Sequence, residues 1–199
     1  MTFVPAFSDP DDPISRAIAG IADPLTRQER EARTWGRHLD EEWWGPAGDA
    51  GGDPLVIEGD AAILAGRRIP VRVEHGIAYI GPRDRFGRCG ECSLLACEYL
   101  LDHHPEATPI YAIGRAFGVH QQWAEVKLAG RWYVFDWMLT DEPWERAEYY
   151  AALHATVGTR LLIPDRAAVD ALRHIDALGS RAQVLERLAP FGIRQIDKE

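Results

Sequence analysis

Between Cys92 and Leu101, eight of ten residues are apolar, and only Ser93 and Glu98 interrupt them. A helix of that composition has no polar face to leave in water, so it must be covered on most sides. A chain of 199 residues is long enough to supply that cover from one sizeable core. The candidate covers are short β-like runs at 55–58, 61–65, 69–74 and 77–80, then near 110–117, 120–128 and 131–136. Helical patterns flank them, at 14–21 and 25–44 on one side and at 144–157, 165–178 and 181–188 on the other. Trp35, Leu39, Trp43 and Trp44 form the packing side of the 25–44 helix. The glycine-rich stretch 45–54 marks the clearest boundary, separating an N-terminal helical arm and linker (1–54) from a main domain with C-terminal helices (55–199). The expected class is α+β, with a cysteine-bearing helix on an antiparallel sheet and additional helices at both ends.

Charge narrows the function. The formal net charge is -9 and the 22 basic residues are scattered. Nucleic-acid binding needs a basic face, so no nucleic acid is expected as a partner. No run approaches the roughly 20 apolar residues that cross a bilayer, so no membrane partner is expected. The acidic, proline-containing start is unlike a secretory signal. Three cysteines crowded between 89 and 97 are no disulfide framework. Reduced thiols and a cytoplasmic location are the expectation.

Cys89 lies in Gly87-Arg88-Cys89-Gly90-Glu91-Cys92, at the mouth of the apolar helix. Unpaired N–H groups and the positive end of a helix dipole favour a thiolate there, and the same N–H groups can form half of an oxyanion hole. The Cys89-x-x-Cys92 spacing also fits a redox pair, or zinc with Cys97, His103 and His104. Zinc is disfavoured, because Cys97 sits inside the helix nearly half a revolution from Cys92. No metal and no organic cofactor is expected. Arg83, Arg85 and Arg88 precede the cysteine and either favour its thiolate or an acidic substrate, or form a solvated loop.

The second constellation runs from His120 to Asp136 and reads as a β-hairpin turning at Ala129-Gly130. Adjacent strands of this kind can bring a base and an orienting acid to a nucleophile. Taken in order, Gly87-Arg88-Cys89-Gly90-Glu91, then Trp123-x-Glu125-Val126, then Gly130-x-Trp132 ending at Asp136, resemble the transglutaminase-like superfamily. That group includes transglutaminases, cytoplasmic peptide N-glycanases and bacterial amidases and proteases, and the cysteine segment is especially similar to the N-glycanases. The resemblance covers roughly residues 80 to 140. It implies a papain-like core and acyl transfer or hydrolysis at an amide, ester or thioester carbonyl. Cys89 would be the nucleophile, His120 the base and Asp136 the orienting acid, with Trp123, Gln121 and Glu91 as binding or supporting residues. The expected partner is a peptide, a protein or a small amide or acyl substrate.

One departure stands inside the motif. The family's histidine lies two residues before this tryptophan, where the chain has Gln121; His120 is one residue early. With a two-residue turn, Trp123 falls opposite Asp136, and alternation puts Gln121 on their face and His120 on the other. A β-bulge at Gln121-Gln122 would bring His120 back. Otherwise Gln121 replaces the base and the domain is a binding or regulatory module, or another histidine such as His75 or His154 substitutes. The bulged Cys89-His120-Asp136 triad is the expectation carried forward.

Overall fold

The computed structural model describes residues 39, 41–46, 56–74, 77–82, 85, 88–175 and 179–196. The expected helices at 14–21 and over most of 25–44, with Trp35 and most of the linker, lie outside the described residues. Elements in chain order are α1 (Glu41–Trp44), β1 (Val56–Glu58), β2 (Ala61–Leu64), β3 (Arg67–Glu74), β4 (Ile77–Ile80), α2 (Cys89–His103), β5 (Ile110–Ala116), β6 (Val119–Leu128) and β7 (Arg131–Phe135). They continue with β8 (Trp144–Glu145), α3 (Arg146–Ala152), β9 (Thr156–Leu162), α4 (Arg166–His174), α5 (Arg181–Leu188) and β10 (Arg194–Gln195). Strands β1 to β4 form an antiparallel meander. The other six form an antiparallel sheet in the order β10-β9-β5-β6-β7-β8. The fold is α+β.

The apolar helix finds its cover on both sides. Leu94, Leu95, Ala96, Cys97 and Leu100 of α2 join one core cluster with Tyr111, Ile113, Ala124 and Val126 of the six-stranded sheet. Ala168, Val169 and Leu172 of α4 and Val184 and Leu188 of α5 complete the same cluster from outside. The opposite face of the sheet carries Ala112, Trp123, Val134, Trp144 and Tyr149, packed with Leu64 and Ile69 of the meander. Each terminal helix is fixed at its start by its own side chain: Asp165 accepts from the Ala168 N–H, and Ser180 forms a capping box with Gln183.

Strand β6 is pinned from both ends. Phe117-Gly118 links it to β5 and Ala129-Gly130 links it to β7, and all four residues have positive φ. That is the two-residue hairpin geometry whose twist matches the flanking strands, and glycine at the second position takes it without steric cost. The resulting pairs run unbroken from Ile110↔Glu125 to Ala116↔Val119 and from Ala124↔Phe135 to Leu128↔Arg131.

One expected helix is corrected. Residues 144–157 begin as strand β8, turn through α3, and enter strand β9 at Thr156. The run Thr156-Val157-Gly158-Thr159-Arg160-Leu161-Leu162 carries β-branched residues on the sheet's interior position, and pairing with β5 overrides the helical character of the residues before it. Gly158 has a packing reason. A Cβ there would fall on backbone atoms of Trp43, Trp44 and Gly45, because α1 lies directly on β9. The buried Trp43 and Trp44 therefore anchor α1 through contact with bare backbone. Gly158→Ala is expected to cost about 1–3 kcal/mol by overpacking. Urea unfolding followed by tryptophan fluorescence reads this, and an unchanged midpoint would mean that α1 is not seated on β9.

Candidate functional site

Cys89 is the first residue of α2, three residues ahead of the span expected to be helical, so the thiol stands on the first turn. No side chain caps this helix start, where Arg88 is the N-cap. The Cys92 N–H closes the first backbone bond to the Arg88 carbonyl at 2.9 Å, and the Ser93 hydroxyl donates to the Cys89 carbonyl at 2.6 Å. The helix mouth comes to β6 just where β7 stops pairing: the ladder ends at Ala124↔Phe135, and the Gln122 N–H beyond it favours the Cys89 thiolate. The N–H dipoles of Gly90 and of Cys89 itself also favour the thiolate. Burial nevertheless pushes the thiol up to about 11, the Asp136 charge adds to the rise, and the three N–H groups only partly offset both.

Asp136 follows β7 and is 1% exposed. Its Oδ2 accepts from Gln121 Nε2 at 2.7 Å and from the Tyr149 hydroxyl at 2.8 Å, and Oδ1 accepts from the Met138 N–H at 3.2 Å. Every one of these donors favours the carboxylate, yet burial outweighs them and raises the carboxyl from 3.8 to about 6. Tyr149, from α3, is the contact that the sequence did not announce: it is one of several aromatics in an ordinary helical pattern. Gln122, also unexpected, is buried on the α2 face and accepts from the Tyr111 hydroxyl, which fixes the backbone that meets the thiol.

The expected site residues divide into two groups. Gln121 and Asp136 come together, and Asp136 lies near enough to Cys89 for its charge to act on the thiol; His120 does not join them. The register of β6 holds through Gly114↔Gln121 and Ile113↔Gln122 without a bulge, so the expected bulge at Gln121-Gln122 is absent. The irregularity lies elsewhere, between Ile113 and Gly114 in the β5–β9 pairing. His120 therefore stays at the open end of the strand, its ring stacked on Trp44 at 4.1 Å between centroids and its Nε2 at 3.3 Å from Glu41. His154 lies beside Phe117, and His75 lies outside the described residues.

The supporting residues act through packing. Trp123 is fully buried, 5.4 Å from the Tyr149 ring, and its indole N–H donates to Glu125 Oε1 at 2.9 Å. Glu125 is in turn held by Arg160 at 3.0 Å and Arg146 at 3.6 Å, so its buried charge is matched. Glu91 faces Arg173 of α4 at 3.9 Å and belongs to the helix contact rather than the thiol. Of the three arginines before the cysteine, Arg85 is buried, donates to the Trp137 carbonyl at 2.9 Å and pairs with Asp141, Arg88 caps the helix through its backbone, and Arg83 lies outside the described residues. Among the described residues no group of three or more His, Cys, Asp or Glu is placed to hold a metal ion, and no helix is long and apolar enough to cross a membrane.

No family model, no curated protein and no solved structure matches the chain.

The Asp136 carboxyl gives a stability effect with a definite sign. Its folded value lies above the unfolded one, so the folded state holds a proton that the unfolded state has lost between pH 3.8 and about 6. Stability from this group is complete below that window and is lost as pH rises through it, at a cost on the order of 3 kcal/mol. Asp136→Asn is expected to remove this component. Urea midpoints for both proteins at pH 4 and pH 7 test it, and parallel pH profiles would show that Asp136 titrates normally.

Proposed function

We propose that the chain is a transglutaminase-like domain with a papain-like core that binds an amide- or acyl-bearing ligand at the Cys89 site without turning it over. The observation that carries this reading is the Gln121–Asp136 hydrogen bond at 2.7 Å in an unbulged β6. A nucleophilic cysteine needs a partner that accepts its proton. At the position two before Trp123, where the family resemblance asks for that base, stands an amide whose nitrogen donates and does not titrate. The order of Cys89, then the β6 position, then Asp136 supports the family reading. So does a helix that presents Cys89 beside the strand carrying Gln121.

The thiol environment supports the same conclusion. A nucleophile poised for neutral pH is held well below the ordinary thiol range, whereas burial and Asp136 push Cys89 the other way. What remains is a set of N–H donors at a helix mouth, suited to hold a carbonyl or carboxylate oxygen. A cysteine hydrolase or acyltransferase using Cys89, His120 and Asp136 would require His120 to leave Trp44 and Glu41 and cross to the other face of β6.

Alkylation of Cys89 by iodoacetamide from pH 4 to 10 separates the readings. Wild type is expected to react slowly at neutral pH, with a rate still climbing at the alkaline end. Gln121→His, which puts an imidazole beside Asp136, is expected to accelerate alkylation at pH 7 by at least about tenfold, since each unit of lowered pKa is tenfold in thiolate. Rapid wild-type alkylation below pH 7 that is lost in His120→Ala would sink the binding-module reading and restore the triad.

A further inference from the structure

The cysteine pair at the start of α2 is not absorbed by the binding reading. Cys89 and Cys92 occupy the first and fourth helical residues, both as free thiols. Residues three apart share a helix face, with Cβ atoms about 5–6 Å apart in a regular turn. A disulfide needs a closer approach, about 3.5–4.5 Å between Cβ atoms, so the first turn must tighten. It is built to allow this: the helix start has no side-chain cap, and Gly90 lies between the two cysteines. The pair is also asymmetric. Cys89 as a residue is partly exposed while Cys92 is 3% exposed, so Cys89 is the one nearer to solvent. Burial pushes the Cys92 thiol well above the ordinary range; the charge of buried Arg85 offsets this only in part, and the Cys89 charge adds to the rise.

We propose that Cys89 and Cys92 form a reversible disulfide that switches the helix mouth between an open dithiol and a closed, oxidised state. The oxidant is a small-molecule disulfide. The Cys89 thiolate attacks one of its sulfurs, forming a mixed disulfide and releasing one thiolate. The Cys92 thiolate then attacks Cys89 Sγ, closing the protein disulfide and releasing the second thiolate. One S–S bond is exchanged for another, two electrons pass to the small molecule, and the two protons lost by the cysteines end on its two thiols. Oxidation takes away the free thiol at the proposed ligand site, but the switch does not depend on what that site binds.

The test is equilibration of the full chain in buffers of reduced and oxidised glutathione, followed by acid quenching, alkylation and intact mass. The reduced protein should carry three alkyl groups on its three cysteines. The oxidised protein should carry one, with no bound glutathione. Cys97→Ser should still close the bond and keep no alkylatable thiol, whereas Cys92→Ser should stop at the glutathione adduct on Cys89. Closure should quicken about tenfold per pH unit below the Cys89 titration, following its thiolate fraction. Three free thiols in the most oxidising buffer, or an adduct that persists in wild type and in Cys97→Ser, would overturn the switch. The wild-type and Cys97→Ser results decide the matter even if Cys92→Ser fails to fold.

Discussion

The phase of β6 is what the site depends on. Two hairpins with two-residue turns clamp the strand at Val119 and Leu128, and each turn admits only one register. A slip of one residue at either end would move Trp123 and Glu125 from a filled interior to the helix face and leave Arg160 and Arg146 beside no carboxylate. The cost of an unmatched buried charge is several kcal/mol. The pairing therefore resists the single-residue insertion that would bring His120 round, and Gln121 reaches Asp136 because Trp123 and Glu125 cannot move.

Around the thiol, opposing effects can be weighed. A helix N-terminus favours an anion by about 0.3–1 kcal/mol at an exposed position, and the nearby backbone N–H dipoles add to that. Burial and the nearby Asp136 act against it, and the net rise to about 11 shows which side wins. The same competition recurs at Asp136, where donors from Gln121, Tyr149 and Met138 fail to offset burial. In both cases solvent exclusion outweighs local hydrogen bonding. The groups are held neutral over part of the range in which a hydrolytic dyad would need a charge.

Much of this arrangement was legible in the chain itself. The strongly apolar 92–101 run announced a covered helix, and Ala129-Gly130 announced the hairpin and its register. That register, with simple alternation, already placed Gln121 on the face of Asp136 and His120 on the other; the expected bulge set this geometry aside, and the structure restores it. Strand β9 was hidden because Gly158 breaks its β-like run and the preceding residues read as helix; only pairing with β5 makes it a strand. Tyr149 was hidden for a different reason. Its hydroxyl meets Asp136 through the path of α3 across the sheet, a tertiary relation that no local spacing encodes.

A histidine in place of Gln121 would meet the same buried carboxylate. A neutral imidazole in that place would donate one N–H to the buried carboxylate and keep its second nitrogen as a proton acceptor. The Gln121 amide also donates to Asp136 Oδ2, so the carboxylate keeps its partner and the buried pair stays satisfied. What disappears is only the titratable nitrogen on the far side. The helix, the sheet register, Tyr149 and the N–H groups at the thiol are indifferent to that loss, because none of them bonds to it. The packing and hydrogen bonding around Asp136 are therefore the same with an amide or an imidazole at position 121, and only the imidazole would bring an atom that moves a proton.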